Sequence, residues 1–322
     1  METGASSLPT VTKNSRTLNH HHPMLAAALP LLLFALTVAP TDDNPIYREL
    51  RERGIKMSDG TTFRLPPPIM ANGLDATGQS AALGKVADAH NPVQELVRKS
   101  YYAPVITKVR TLKPAKGEGP AVRAVDVWFV AHGKWKTLLS KDFLESTAGA
   151  ESSKSQVVTR SGFLSEEELR KRKLSAVVKD GREERFSYTT FSLFERVEIS
   201  ATRFSVLVRD DDSLLAAGKL DPRFDKDATY PNAWRPLLRD AQAEIQRGPA
   251  QAFSHAAGYA KITRLQEPAD AVFVESHIIY EEPYGWFDGV NLVKQKVPPM
   301  VQEKVRSFRR KLAMASEEKQ AK

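Results

Sequence analysis

The sequence predicts an α+β protein: a mostly antiparallel, curved sheet packed against a long C-terminal helix, with short helices near the N-terminus. Three observations predict it. Runs of β-branched or alternating residues recur between Ala103 and Tyr280, with turn chemistry separating them. Val301, Val305, Phe308 and Leu312 then fall at i, i+4, i+7 and i+11, a single apolar stripe on a final helix. Before residue 100, by contrast, the helical signals are short.

In chain order, Leu25–Ala39 is a nearly unbroken apolar run with Lys13, Arg16 and His20–His22 ahead of it. It has the length of a signal-peptide core and falls short of the roughly 20 residues a membrane-spanning helix needs. Export to the periplasm or beyond is the expectation, with an uncleaved membrane anchor as the alternative. The expected divisions are a signal peptide over 1–39, a helical and extended segment over 40–100, one α+β domain over 101–315, and a flexible tail over 316–322.

Asn44-Pro45 supplies a cap and first-turn proline for a helix over Pro45–Glu52. Phe63–Gly73, with Pro66–Pro68, reads as an extended connector. Short helices are expected near Asp75–Ala87 and Asn91–Lys99. Val105–Leu112 and Val122–Ala131 read as strands around the turn at Lys116–Pro120, and the second is apolar at nearly every position, as in a central strand covered on both faces. A helix over Lys136–Ser146 would place Leu138, Leu139, Phe143 and Leu144 on one side, before a small-residue loop at Ala148–Ser155. Ser165-Glu-Glu-Glu168 is a helix start of capping-box type.

Residues 185–218 read as a three-stranded meander whose second turn is Arg209–Ser213. Asp221–Ser254 is weakly patterned, with a helix expected at Leu238–Gln246. Strands over Gly258–Leu265 and Ala271–Tyr280 flank the turn Gln266–Asp270, and Pro298-Pro299 is read as the start of the last helix.

The chain has no cysteine, which excludes disulfides, thiol nucleophiles and thiolate metal sites. Its formal net charge is +8, and residues 291–322 carry most of that excess, unlike the spread of a dedicated nucleic-acid binder. No nucleic-acid partner, metal or cofactor is expected. His90, His132, His255 and His277 follow the leader, none at the i,i+4 spacing of a helical zinc site. Glu275 and His277 are two apart on a strand and so share a face, a pairing that suits a general base or a salt link on a wet sheet face. Asp221, Asp225 and Asp227 are candidate supporting acids, while Asp210–Asp212 reads as a solvated turn. Tyr284, Trp286 and Phe287 form an aromatic cluster suited to capping a pocket or packing on the helix end. Lys304, Arg306, Arg309, Arg310 and Lys311 give the last helix a basic side suited to anionic lipid or an acidic partner.

The strand pair Gly258–Tyr280, the turn Pro283–Phe287 and the striped final helix together resemble the START-like, or helix-grip, arrangement at the level of topology. That resemblance implies a sheet curled around the final helix, with an apolar ligand held between them. On this reading Val272, Val274, Ile278, Trp286, Val301, Val305 and Phe308 line the ligand space, without convergent polar groups. Three functions follow from the residues: an envelope protein binding an apolar or lipid-like molecule, an interaction protein using its basic C-terminal helix, or a hydrolase-like enzyme using Glu275 and His277.

Overall fold

The computed structural model describes residues 44–117, 119–140, 142–143, 156–179, 181–239, 244–287 and 292–318. The leader over 25–39, the loop over 148–155, Leu144 and the final residues 319–322 lie outside them.

Helix α1 (Pro45–Glu52) begins as its residues dictate. Asn44 Oδ1 accepts from the Tyr47 amide at 3.0 Å, and its Nδ2 donates to the Val206 carbonyl at 2.7 Å, so the cap also fastens the helix to the sheet. A ribbon of β1 (Ile55–Lys56) and β2 (Thr62–Phe63) follows, then an extended strap over 64–74. Helix α2 (Ala76–Gly84) is capped by Asp75, and α3 is a single turn, Val93–Leu96.

The main sheet is antiparallel throughout. The hairpin β3 (Val105–Lys113) and β4 (Ala121–His132) precedes α4 (Trp135–Leu138). Then come β5 (Gln156–Phe163), α5 (Glu166–Lys171) capped by Ser165, and β6 (Val178–Lys179). The meander β7 (Arg182–Leu193), β8 (Val197–Arg209) and β9 (Ser213–Leu220) follows, and after it β10 (Ala233–Arg239), β11 (Ile245–Arg247) and β12 (Gln251–Ala252). Last are β13 (Ala256–Arg264), β14 (Ala271–Glu282) and helix α6 (Leu292–Glu318). From edge to edge the strands run β5-β7-β8-β9-β13-β14-β4-β3, and the two edges do not pair, so the sheet stays open.

Strand β8 forks the sheet. One of its edges pairs with β7 along its whole length, while the other pairs with β10 over Val197–Ser200 and with β9 over Arg203–Arg209. Asn232 closes the gap, accepting from the Thr202 amide at 2.7 Å and donating to the Asp221 carbonyl at 2.8 Å.

Alternation sorts the sheet into two faces. Val125, Val127, Phe129 and Ala131 of β4, with Leu207, Leu214, Ile262, Val272 and Val274, point to the concave side. There α6 lays down Val297, Val301, Val305, Phe308 and Leu312 against them. The convex side is covered by α1, the strap and α2, through Ile46, Leu50, Leu65, Met70 and Leu83. Close seating of α6 needs Gly133: a Cβ there would meet Leu312 Cγ at 2.4 Å.

Three expectations are corrected. Among the described residues of 238–246 there is no helix: Leu238 and Arg239 belong to β10 and Ile245 and Gln246 to β11, because main-chain pairing between these two strands outweighs the local helical preference. Pro298 and Pro299 lie inside α6 rather than at its start. The carbonyls deprived of a helical donor belong to Lys294 and Gln295, both exposed, where water can serve. The expected helix over 136–146 is interrupted: α4 is a single turn ending at Leu138 and residues 142–143 are helical again, while strand β5 carries no alternation strong enough to announce it.

Candidate functional site

Two groups of side chains stand out, one on each face. On the convex face β3, β4, β13 and β14 bring together Arg110, Asp126, Tyr259, Lys261, Glu275 and His277. Glu275 and His277 share a face, as their spacing requires, and register sets Lys261 opposite Glu275 and Tyr259 opposite His277. His277 Nδ1 is 2.8 Å from Asp126 Oδ1, and Arg110 Nη2 is 2.8 Å from Asp126 Oδ2. His277 Nε2 sits 3.8 Å from Glu275 Oε2, within electrostatic reach and beyond hydrogen bonding.

This face is not wet. The strap crosses it and Glu275 accepts from the amides of Ile69 at 2.8 Å and Met70 at 3.2 Å, while Lys261 Nζ donates to the Met70 carbonyl and Tyr259 Oη to Pro66 at 2.7 Å. Glu275 is 0% exposed and His277 1%. Burial opposes charge on His277, but the Asp126 and Glu275 carboxylates outweigh it and hold the imidazole pKa above its ordinary value. Asp126 is likewise penalised by burial, yet His277 and Arg110 draw its pKa below the usual carboxylate value. The result is a charged cluster that ties the strap down, in which an acid from β4, and none from the Asp221–Asp227 loop, completes the Glu275–His277 pair. Asp221 instead binds Arg223, Asp225 accepts from Asn232, and Asp227 binds Arg172.

On the concave face a cavity of about 200 Å³ lies between β4, β5, β7, β8, β14 and α6. Val125, Val127, Phe191, Ile199, Ile278, Trp286, Val297, Met300 and Val301 make most of its wall. Of the expected lining, Ile278, Trp286 and Val301 are there. Val272, Val274, Val305 and Phe308 are instead in filled core, where Phe308 packs edge-on against Phe129 and Phe143 at 5.8 Å. The space is therefore displaced from the middle of α6 toward the β7–β8 side. The fork at β8 explains why: Ala201, a small side chain, sits between the β10 and β9 pairings and lines the cavity. Trp286 closes one end within a cluster of Trp234, Phe253 and Tyr280, and Tyr284 of the same turn is exposed.

Polar groups do converge here, contrary to the expectation. Arg203, Ser187, Thr189, Ser161 and Ser276 also line the space. Arg203 is an inward position of β8, two residues from Ala201. Its stem crosses β9 at Gly218, where a Cβ would stand 3.1 Å from Arg203 Cδ. Its Nη2 donates to Ser187 Oγ at 3.1 Å. Burial pushes the guanidinium pKa down to about 10, which leaves it charged at neutral pH.

The basic side of α6 divides in two. Arg306 and Arg310 are exposed and Lys311 half-buried, with Arg306 stacked 4.9 Å over the Tyr102 ring. Lys304 and Arg309 are buried, which removes them from the expected partner-facing surface. Arg309 clamps α6 to the sheet, donating to the carbonyls of Val130 at 2.8 Å, Pro104 at 3.0 Å and also Ala103. Burial pushes the Lys304 ammonium down to about 8.

Among the described residues no cluster of His, Asp or Glu side chains is arranged to hold a metal ion. No described helix is long and apolar enough to cross a membrane. Sequence comparison finds no matching protein family and no similar curated protein.

Proposed function

We propose that this chain is a binding protein that holds a small apolar molecule between the concave face of its sheet and the C-terminal helix. The observation that carries the reading is the cavity of about 200 Å³ with a mainly aliphatic and aromatic wall. A dry engineered cavity of about 150 Å³ already takes benzene, so this volume suits a compact hydrophobic guest. An antiparallel sheet curving around a final helix is also what the START-like resemblance implies, and it supports the same reading. The leader-like run Leu25–Ala39 supports placing the protein in the cell envelope or outside the cell.

The hydrolase-like reading finds less support. Glu275 and His277 are on the opposite face, buried under the strap, with His277 Nδ1 committed to Asp126 and both Glu275 oxygens to the Ile69 and Met70 amides. A catalytic base must reach a substrate proton directly or through one water.

Native mass spectrometry with lipid extraction, on protein purified from its own envelope fraction, tests the proposal. A co-purifying apolar molecule at near-stoichiometric amount is the expected outcome. A clean unliganded mass, unchanged after incubation with a panel of short-chain amphiphiles, would remove it.

A further inference from the structure

The floor of the cavity carries a hydroxyl that a purely apolar guest leaves unanswered. Ser276 is an inward position of β14, between Val274 and Ile278, and register sets it between Ala260 of β13 and Val127 of β4. Its neighbours on that face, along the strand and across it, are all apolar. Ser276 is 1% exposed and lines the cavity, and its Oγ has no hydrogen-bond partner among the described residues. An unpaired buried hydroxyl costs free energy that an alanine at the same place would not incur. Buried polar groups are satisfied in the great majority of native structures, so an orphan on a cavity floor points to a partner from outside the chain.

Two more lining residues repeat the pattern, each at a separate place. Trp286 Nε1, at the aromatic end, and Thr189 Oγ1, on β7 opposite Ala201, are also buried without a partner among the described residues. All three orphans are uncharged groups. Arg203, the one charged side chain among the described residues lining the cavity, is already engaged and donates to Ser187 at 3.1 Å. What the wall offers a guest is therefore neutral hydrogen bonding set in apolar surface. Of the three, Ser276 is the best placed to use it. Its hydroxyl turns about a single bond and both donates and accepts, whereas the Trp286 indole only donates and is packed on Phe253 and Tyr280. Thr189 belongs to a half-exposed residue of β7, where water competes.

Resting on the reading of this cavity as a binding site, we propose that its guest is a compact uncharged molecule carrying one hydrogen-bonding oxygen, which Ser276 Oγ takes while Val125, Val127, Ile278 and Val301 surround the apolar remainder. An ionic guest would give up its hydration to a wall whose one guanidinium is already engaged. The volume of about 200 Å³, against about 150 Å³ for a cavity that takes benzene, sets the guest at about one ring with a small substituent. Phenol is the fitting probe, and benzene is its control without the oxygen.

Chemical-shift titration of the full chain with phenol and with benzene, in wild type and Ser276→Ala, separates the two layers of the claim. Both probes are expected to bind wild type, and S276A to weaken phenol about three- to tenfold, the range of one net hydrogen bond, while benzene changes less than about twofold. If S276A moves both probes alike, or neither, the oxygen assignment falls and the apolar cavity stands. If neither probe binds wild type, both readings fall. Thermal unfolding of the unliganded variant is the second measurement. S276A is expected to melt no lower than wild type, because it removes an unpaired buried hydroxyl. A clearly lowered melting temperature would show that the hydroxyl is bonded within the fold, and would overturn the proposal.

Discussion

At the scale of single residues, the Asp126–His277 couple shows what burial does to charge. Neither group would ionise in a dry sheet face alone, but together, with Arg110 and Glu275, each stabilises the other's charged form. The pH dependence follows from the two directions. His277 is raised above 6.5, so its contribution to stability is complete below that value and is lost as pH rises through the folded-state pKa. Asp126 is lowered below 3.8, so its contribution is present above that value and is lost as pH falls through its folded-state pKa. Urea unfolding should therefore show wild-type stability declining as pH rises above 6.5, and His277→Gln should flatten that decline. An unaltered slope in H277Q would assign the titration to another group. Asp126→Asn should cost about 3–5 kcal/mol near neutral pH, because it leaves a buried imidazolium with half its counter-charge. Of these residues, Glu275 and His277 are legible from two-residue spacing alone. Asp126 is not: it stands in an apolar run, and only the register between β4 and β14 sets it opposite His277.

At the scale of elements, α6 is held by shape at one end, by the Arg309 hydrogen bonds to Val130, Ala103 and Pro104, and by apolar packing along its length. Gly133, just past β4, lets Leu312 and Ser316 sit directly on the turn. Gly133→Ala would put a Cβ 2.4 Å from Leu312 Cγ and 2.9 Å from Ser316 Oγ, so the last turns of the helix must move. Overpacking of this kind costs roughly 1–3 kcal/mol, to be read from thermal unfolding. A melting temperature equal to wild type would mean that the helix seat is soft. The helix itself is legible as the stripe Val301, Val305, Phe308 and Leu312, since periodicity of 3.6 is a local property. Its true start is not legible, because Pro298-Pro299 is a strong local stop signal that tertiary packing overrides. The β10–β11 hairpin escapes for the same kind of reason. Its first strand, β10, pairs with an edge of β8 defined by residues some forty positions earlier, and β11 in turn pairs with β10.

At the scale of the whole molecule, the sheet separates two functions of packing. Its convex face is sealed by the N-terminal segment through the ionic cluster, and its concave face is filled by α6 everywhere except beside the fork in β8. Filling that space should abolish binding without harming the fold. Ala201→Leu, at the fork, is expected to weaken binding of the apolar guest at least about tenfold while stability stays level or rises, because the added methyl groups enter unfilled space. A destabilised A201L with intact binding would place the ligand elsewhere. What the sequence by itself determined is the class of the fold, most strand positions, the capped helices α1, α2 and α5, and the shared face of Glu275 and His277. All of these follow from periodicity and capping, which act over a few residues. The tertiary structure decided which strands neighbour each other, and hence that Asp126 meets His277, that the Glu275 face is covered, and that Arg203 turns toward a cavity. The first two depend on pairing between residues more than a hundred positions apart, and no local pattern of side chains encodes the register that joins them.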